Sequence, residues 1–332
     1  MIYVLCPADV KTGGTELLHQ LVKTLNDEKV SAKIVYTEIS QEHPGMNPAF
    51  TEYADEYLRE EDIADEEGNI LVVPEIYCER TMRYQNLSVY IWWLSVDNYL
   101  IHNSFVDRRR ANGTLRAIKA LVTGKLKDKT AFVKKAKKHL CQSYYAIHYL
   151  KTIGITGETV SYLSDYVNDI YLAGEEAALR EKKEDVVLYN PKKGAAFTKA
   201  LREAAPDLKW VPLIGMTTEE MRSCMSKSKV YIDFGNHPGK DRIPREAAIS
   251  GCVVITGKRG AAAFAEDVCI PNQYKFDEAH DKKEDIISCI RDCICNFDAH
   301  KVDFDGYRSY IRNEHQQFIA DVKKIFVNED YI

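Results

Sequence analysis

Residues 230–256, VYIDFGNHPGKDRIPREAAISGCVVIT, carry the pattern that decides the fold. They open on an apolar run, Val230-Tyr231-Ile232, with the length and composition of a short buried strand. A loop rich in Gly, His and Pro follows, and Pro244-Arg245-Glu246 leads into the small, helix-favouring run Ala247-Ala248-Ile249. Proline suits a first helical turn and glycine the position just past the last. Gly251 therefore ends the helix, and residues 252–255 form the next strand. The unit is strand, polar loop, helix, strand, with its loop at the carboxyl end of the first strand, where open α/β sheets bind ligands. The helix start offers backbone N–H groups and positive dipole to a phosphate. Arg242 and Arg245 add charge, and Glu246 sets one carboxylate within the first turn.

The same rhythm recurs on both sides. Residues 2–5 read as a strand, followed by a loop that contains Gly13-Gly14 and a helix over 16–26 with Leu17, Leu18, Leu21, Val22 and Leu25 on one face. Glycine lets backbone N–H groups approach a ligand closely, so this turn is a candidate phosphate cradle. Strand candidates continue at 32–36, 70–73, 89–94, 140–143 and 159–163, with a helix over 144–153. Residues 89–98, VYIWWLSVDN, end in a polar tip, and Tyr90, Trp92 and Trp93 cannot share one face of a strand. Ser95, Asp97 and Asn98 stand at its carboxyl end, where the Asp97 carboxylate can accept hydrogen bonds from a ligand's hydroxyls. The second half restarts with a strand over 185–189 and the turn Asn190-Pro191-Lys192-Lys193-Gly194, which places Lys192 and Lys193 beside a helix N-terminus. A strand over 209–213, a helix within 219–226 and the deciding stretch follow, with Gly235 in its loop. Gly257-Lys258-Arg259-Gly260 is a further basic, Gly-rich helix start; a late strand over 268–270 and helices over 283–297 and 307–326 complete the chain.

The chain has 332 residues, 45% hydrophobic and 29% charged, enough for two domains of roughly 150 residues each. No apolar run reaches the ~18 residues of a membrane span, and residues 1–5 are too short and lack the basic start of a secretory signal. Nine cysteines at irregular spacing argue against a disulfide framework. Cys289 and Cys293 sit at helical spacing among Ile286, Ile287, Ile290 and Ile294, which reads as buried reduced thiols rather than a metal site. A cytoplasmic protein is expected, with no metal-ligand spacing. The net charge of −5 is unevenly spread: residues 108–139 hold 12 Lys/Arg against one carboxylate, Asp128, and residues 52–67 hold nine carboxylates with only Arg59. The acidic stretch reads as a solvated face. The basic one reads as two helices broken at Thr123-Gly124, with Leu115, Ile118, Leu121 and Val122 on the first and Phe132, Val133 and Ala136 on the second. Such helices are either solvated or meet an anionic surface, membrane lipid or a polyprenyl diphosphate. Nucleic acid is not expected, because no recognised binding fold accompanies the charge.

Residues 13–16, 192–194 and 233–251, in this order along the chain, resemble the GT-B glycosyltransferases, particularly the family 4-like enzymes of bacterial polysaccharide assembly. Gly13-Gly14-Thr15-Glu16 is similar to the Gly-Gly-x-Glu turn after their first strand, and Glu246 matches the second of two glutamates eight positions apart, the first falling here on Pro238. The resemblance implies an α/β protein of GT-B type, two Rossmann-like domains facing each other across a cleft. An N-terminal acceptor-side domain would span 1–163, a linker 164–184 and the donor domain 185–305, with a last helix over 306–332 packing back on the first domain. It implies a hexosyltransferase-like enzyme, retaining and metal-independent, moving sugar from a UDP- or GDP-linked donor to a glycan or lipid-linked acceptor, with no other cofactor. Gly13, Gly14, Lys192, Lys193, Gly235, Arg242, Arg245 and Glu246 would bind the nucleotide sugar; Asp97, Lys193 and Arg242 would act in catalysis. The diphosphate would be gripped from both halves, closing them. A sugar-nucleotide epimerase of the same fold, or a degenerate binding subunit of a polysaccharide-assembly complex, fits the same motifs, and peripheral contact with the inner face of a membrane would run through 108–139.

Overall fold

The computed structural model describes residues 1–40 and 45–327. The chain divides into two compact units, Met1–Asp165 together with the segment from Gln317 onward, and Tyr166–Gln316.

The first unit is built on seven strands: β1 (Ile2–Pro7), β2 (Ala32–Thr37), β3 (Tyr57–Arg59), β4 (Ile70–Pro74), β5 (Ser88–Trp93), β6 (Lys138–Cys141) and β7 (Val160–Tyr162). They pair in parallel in the order β3-β2-β1-β4-β5-β6-β7. A parallel sheet is covered on both faces, so its central strands read as unbroken apolar runs; Ile2 to Cys6 of β1 are all buried. Alternation along β5 separates the aromatic residues. Tyr90 and Trp92 stack on Phe326 and Phe318 of the helix Asp305–Phe326, and Trp93 packs on the other face against Tyr99 and Tyr149. Lys323 of that helix pairs with Glu28 at 2.9 Å.

The acidic stretch departs from a simple solvated face. It contributes the edge strand β3, Glu60 pairs with Arg80 at 2.8 Å and with Arg83, and Asp65 accepts backbone N–H groups of Gln85, Asn86 and Leu87. The basic stretch runs through three helices, Phe105–Asn112, Thr114–Val122 and Thr130–Lys135.

The second unit carries β8 (Glu184–Tyr189), β9 (Lys209–Pro212), β10 (Ser228–Asp233), β11 (Val253–Gly257) and β12 (Lys275–Phe276), all parallel, in the order β12-β11-β10-β8-β9. Strand order reverses between β8 and β10, the place where such sheets open a crevice for ligands. Residues 268–270, expected as a strand, lie outside the sheet, although Val268 and Ile270 are buried. A short apolar run looks the same in a buried loop as in a strand. The last strand is instead the two-residue β12. Residues 164–184 form the short helices Asp169–Ala173 and Glu175–Arg180, and Tyr171 enters the second unit's core. The helix Arg242–Ile249 ends as its sequence dictates, with Gly251 at φ +85°.

Candidate functional site

In the first unit the Gly-Gly turn belongs to a helix. Thr12 caps it, accepting from Thr15 N while the Thr15 hydroxyl takes the Thr12 N–H, and the helix runs Gly13–Asp27 rather than starting at Glu16. Its first N–H groups, which in any helix point outward along the axis, are those of Gly13 and Gly14. Glu16 accepts from the Tyr53 hydroxyl at 2.9 Å. At the end of β5, Ser95 caps the helix Val96–Asn103, which holds Asp97, half-buried, in its first turn. Asp97 accepts from the Tyr145 hydroxyl at 2.9 Å.

Sequence reasoning missed Glu75, which directly follows β4 and is buried. Its Oε2 accepts from Leu94 N at 3.0 Å, tying the ends of β4 and β5. Burial pushes its pKa up to about 7 from 4.5, against hydrogen bonds from backbone N–H groups.

The second unit assembles its loops more tightly. Gly194, at φ +55°, opens the helix Ala195–Ala204, and a Cβ on it would stand 2.4 Å from Phe234 O. A Cβ on Gly235 would stand 2.3 Å from Lys193 Cβ. These glycines let the loops after β8 and β10 lie against each other, so Gly235 is committed to loop packing. The loop after β11 joins them: Ala261 N donates to His237 O, and Arg259 donates to Phe234 O at 2.8 Å and pairs with Glu278 at 3.1 Å.

Charged side chains line this junction. Lys193 Nζ is 2.5 Å from Asp241 Oδ2, and His237 Nδ1 is 2.9 Å from the same oxygen. Asp241 occupies the N-cap position of Arg242–Ile249 yet makes no side-chain cap bond; its carboxylate is turned to Lys193 and His237. Burial disfavours the His237 imidazolium, but the Asp241 hydrogen bond and the Asp233 and Asp241 charges outweigh it, and its pKa is raised. Burial also works to raise Asp241, yet His237 and Lys193 hold its pKa below the ordinary value. Asp233, His237 and Asp241 bring one ligand atom each within 4.8 Å of one another, a grouping that could take a cation and that the sequence reading did not find. The spacing of four is visible in the sequence, but in a loop it has no face until the fold supplies one. The positions are largely taken by the protein's own donors: Lys193 on Asp241, and Tyr231 OH (2.9 Å) and Gly235 N (3.0 Å) on Asp233.

Arg245 was expected to add charge for the diphosphate; it is fully buried and pairs with Glu314 at 2.8 Å, and it donates to the Lys240 and Asp241 carbonyls. Lys240 joins Glu314 from the other side at 2.7 Å. Burial and the Glu314 partner, not helical spacing, set Arg245 apart from Arg242, which lies one turn earlier, is half-buried and directly follows Asp241. Glu246 is 8% exposed and lies beside Tyr171, whose pKa is raised by burial and then by the Glu246 charge. Lys192 is exposed, and its N–H donates to Asn190 Oδ1. Lys193, Gly235, Arg242 and Glu246 thus belong to one neighbourhood in the second unit, while Gly13, Gly14 and Asp97 belong to the first.

No family model and no curated protein matches the sequence. Solved structures do match over nearly the whole chain. A sucrose-phosphate synthase from Thermosynechococcus elongatus is similar at 12% identity and TM-score 0.65, with 98% of each chain covered. Anabaena Alr3699/HepE in complex with UDP and glucose is similar at 11% identity and TM-score 0.61, covering 97% of this chain and 98% of that one. A glycosyltransferase from Rickettsia africae ESF-5 gives 14% identity and TM-score 0.60, with 98% of each covered. At such identities the likeness speaks for the fold, and that fold is the GT-B type, two Rossmann-like units with parallel sheets of seven and five strands.

Proposed function

We propose that this protein is a glycosyltransferase that moves a hexosyl group from a nucleotide-diphosphate sugar to a glycan or lipid-linked acceptor. The observation that carries the reading is the junction of loops where strand order reverses in the second unit. There Lys193 and Arg242 stand at two helix starts, with Glu246 one turn further on. Cleaving the donor's glycosidic bond leaves negative charge on the diphosphate. Lys193 and Arg242 supply fixed positive charge for it, a role that needs no metal ion and forms a large part of such catalysis. Lys193 leaves Asp241 for the phosphate, and His237 remains to hold Asp241 in place. Glu246 accepts from ribose hydroxyls, Lys192 adds charge at the rim, and Asp97 accepts from an acceptor hydroxyl. The Gly13 and Gly14 N–H groups form a second phosphate-type site. The UDP and glucose held by Alr3699/HepE support a UDP-linked donor, and the motif order supports retention of configuration within the family 4-like group.

Calorimetric titration with a panel of UDP- and GDP-sugars tests the reading. One donor should bind, and Glu246→Ala should weaken it at least tenfold, since a hydrogen bond to a charged group contributes about 1.5–3 kcal/mol. Unchanged affinity in a folded variant removes Glu246 from the site. With donor bound, product analysis separates transfer or slow donor hydrolysis from epimer formation or binding alone, the outcomes of an epimerase and of a binding subunit.

A further inference from the structure

Among the described residues twelve large apolar side chains are exposed, and five of them, Val106, Leu115, Ile118, Leu121 and Val122, fall within residues 106–122. Exposed apolar residues scattered singly are ordinary, whereas a contiguous patch marks an interaction surface. At about 100° per residue, Leu121, Ile118, Val122 and Leu115 follow one another around roughly 120° of the helix Thr114–Val122. Ala117 and Ala120, on the opposite arc, are buried. The helix is thus anchored by its small residues and holds its large ones outward, Leu115 at 85% and Val122 at 80% exposure. Lys119 is exposed at the edge of this apolar arc, Arg116 is exposed about 100° past Leu115, and Arg109, Arg110, Lys125 and Lys127 are exposed on the flanking segments. Within residues 105–127 the one carboxylate is Asp107, half-buried and 3.4 Å from Arg110.

We infer that this face seats on an anionic phospholipid surface. The helix would lie in the plane of the membrane, its apolar arc at the boundary of headgroups and acyl chains and its cations on lipid phosphates. Both halves of the patch are then used. A nucleic acid would satisfy the cations and leave Leu115 and Val122 in water; a second copy of the chain would cover the apolar arc but bring like charges together. No helix among the described residues is long and apolar enough to cross a membrane, so the contact is peripheral. The inference goes beyond the proposed transfer reaction and does not rest on it.

The test is co-sedimentation of the full chain with vesicles of phosphatidylcholine alone and of phosphatidylcholine mixed with phosphatidylglycerol. Binding is expected to the mixed vesicles only, weakening at least tenfold when salt shortens the screening length from about 10 Å to about 3 Å. Leu115→Glu with Val122→Glu should lower that binding at least tenfold, and Lys119→Glu with Lys125→Glu likewise. All four positions are exposed, so circular dichroism and nucleotide-sugar titration should match the unaltered chain. Equal binding to both vesicle types, binding to neither, or full binding by the Leu115/Val122 variant overturns the inference. So does a dimer that the same variant dissociates, or an oligonucleotide affinity that it leaves unchanged while lipid binding is absent.

Discussion

In the first unit, Gly13 and Gly14 sit in the opening turn of an ordinary helix, and a Cβ on Gly14 would meet Leu94 at 3.7 Å, a normal contact. In the second unit, Gly194 stands at φ +55° with Phe234 O 2.4 Å from where its Cβ would be, and Gly235 leaves no room beside Lys193. Both sets lie at carboxyl ends of strands where sheet order reverses, yet only the second is required by the protein's own packing. The acids differ in the same sense. Glu75 in the first unit is buried beside backbone N–H groups and burial raises its pKa to about 7, whereas His237 and Lys193 hold the pKa of Asp241 in the second below its ordinary value. The second unit's junction is a closed, charge-matched assembly, and the first unit's is looser, with room for a side chain at Gly14.

The largest effect expected from this contrast is on Gly194→Ala. A left-handed backbone costs a non-glycine residue about 1–2 kcal/mol, and overpacking typically adds about 1–3 kcal/mol. A loss of about 4 kcal/mol in denaturant unfolding is therefore expected. A loss below about 1 kcal/mol would show that the loops after β8 and β10 can part freely, and the contrast would fail.

Glu75→Gln comes next. The folded-state pKa of Glu75 is raised from 4.5 to about 7, so the folded protein holds the proton longer than the unfolded chain. Stability should be unaffected by this group below pH 4.5, fall between 4.5 and about 7, and level off above. The full cost is about 3 kcal/mol. The amide keeps an acceptor for Leu94 N and cannot ionise, so the variant should lose that slope and exceed the unaltered chain at pH about 8. Identical pH profiles of chemical unfolding in the two proteins would place the titration elsewhere.

The smallest effect on folding belongs to Gly14→Ala. Alanine is favoured over glycine in a helix by at most about 1 kcal/mol, and the site has room for its methyl group. Thermal unfolding should be unchanged or slightly raised. A concurrent drop in nucleotide-sugar affinity would show that ligand, rather than packing, requires glycine there.

Much of the fold was legible because parallel strands buried on both faces are written as apolar runs such as 2–5 and 230–232, and because Gly251 marks a helix end locally, whereas the Thr12–Thr15 cap that starts the first helix at Gly13 went unread. The reading stumbled where a local pattern had two solutions. Residues 268–270 are equally apolar as loop or strand, and the cations at 242 and 245, one helical turn apart, look alike until Glu314, 69 positions beyond Arg245, claims one of them. Asp233, His237 and Asp241 form no face in a loop until the turn set by Gly235 brings them together.

The sequence by itself determined the alternation of strands and helices, the loops at the carboxyl ends and the uneven charge, because each is a property of neighbouring residues and their period. Tertiary structure alone decided which charges are committed to the protein: Arg245 and Lys240 to Glu314, Lys193 to Asp241. It alone decided that Gly235 serves a loop contact and that Leu115 and Val122 face outward. Burial and pairing depend on what lies across space from a residue. For these residues the partner stands tens of positions away, or is solvent.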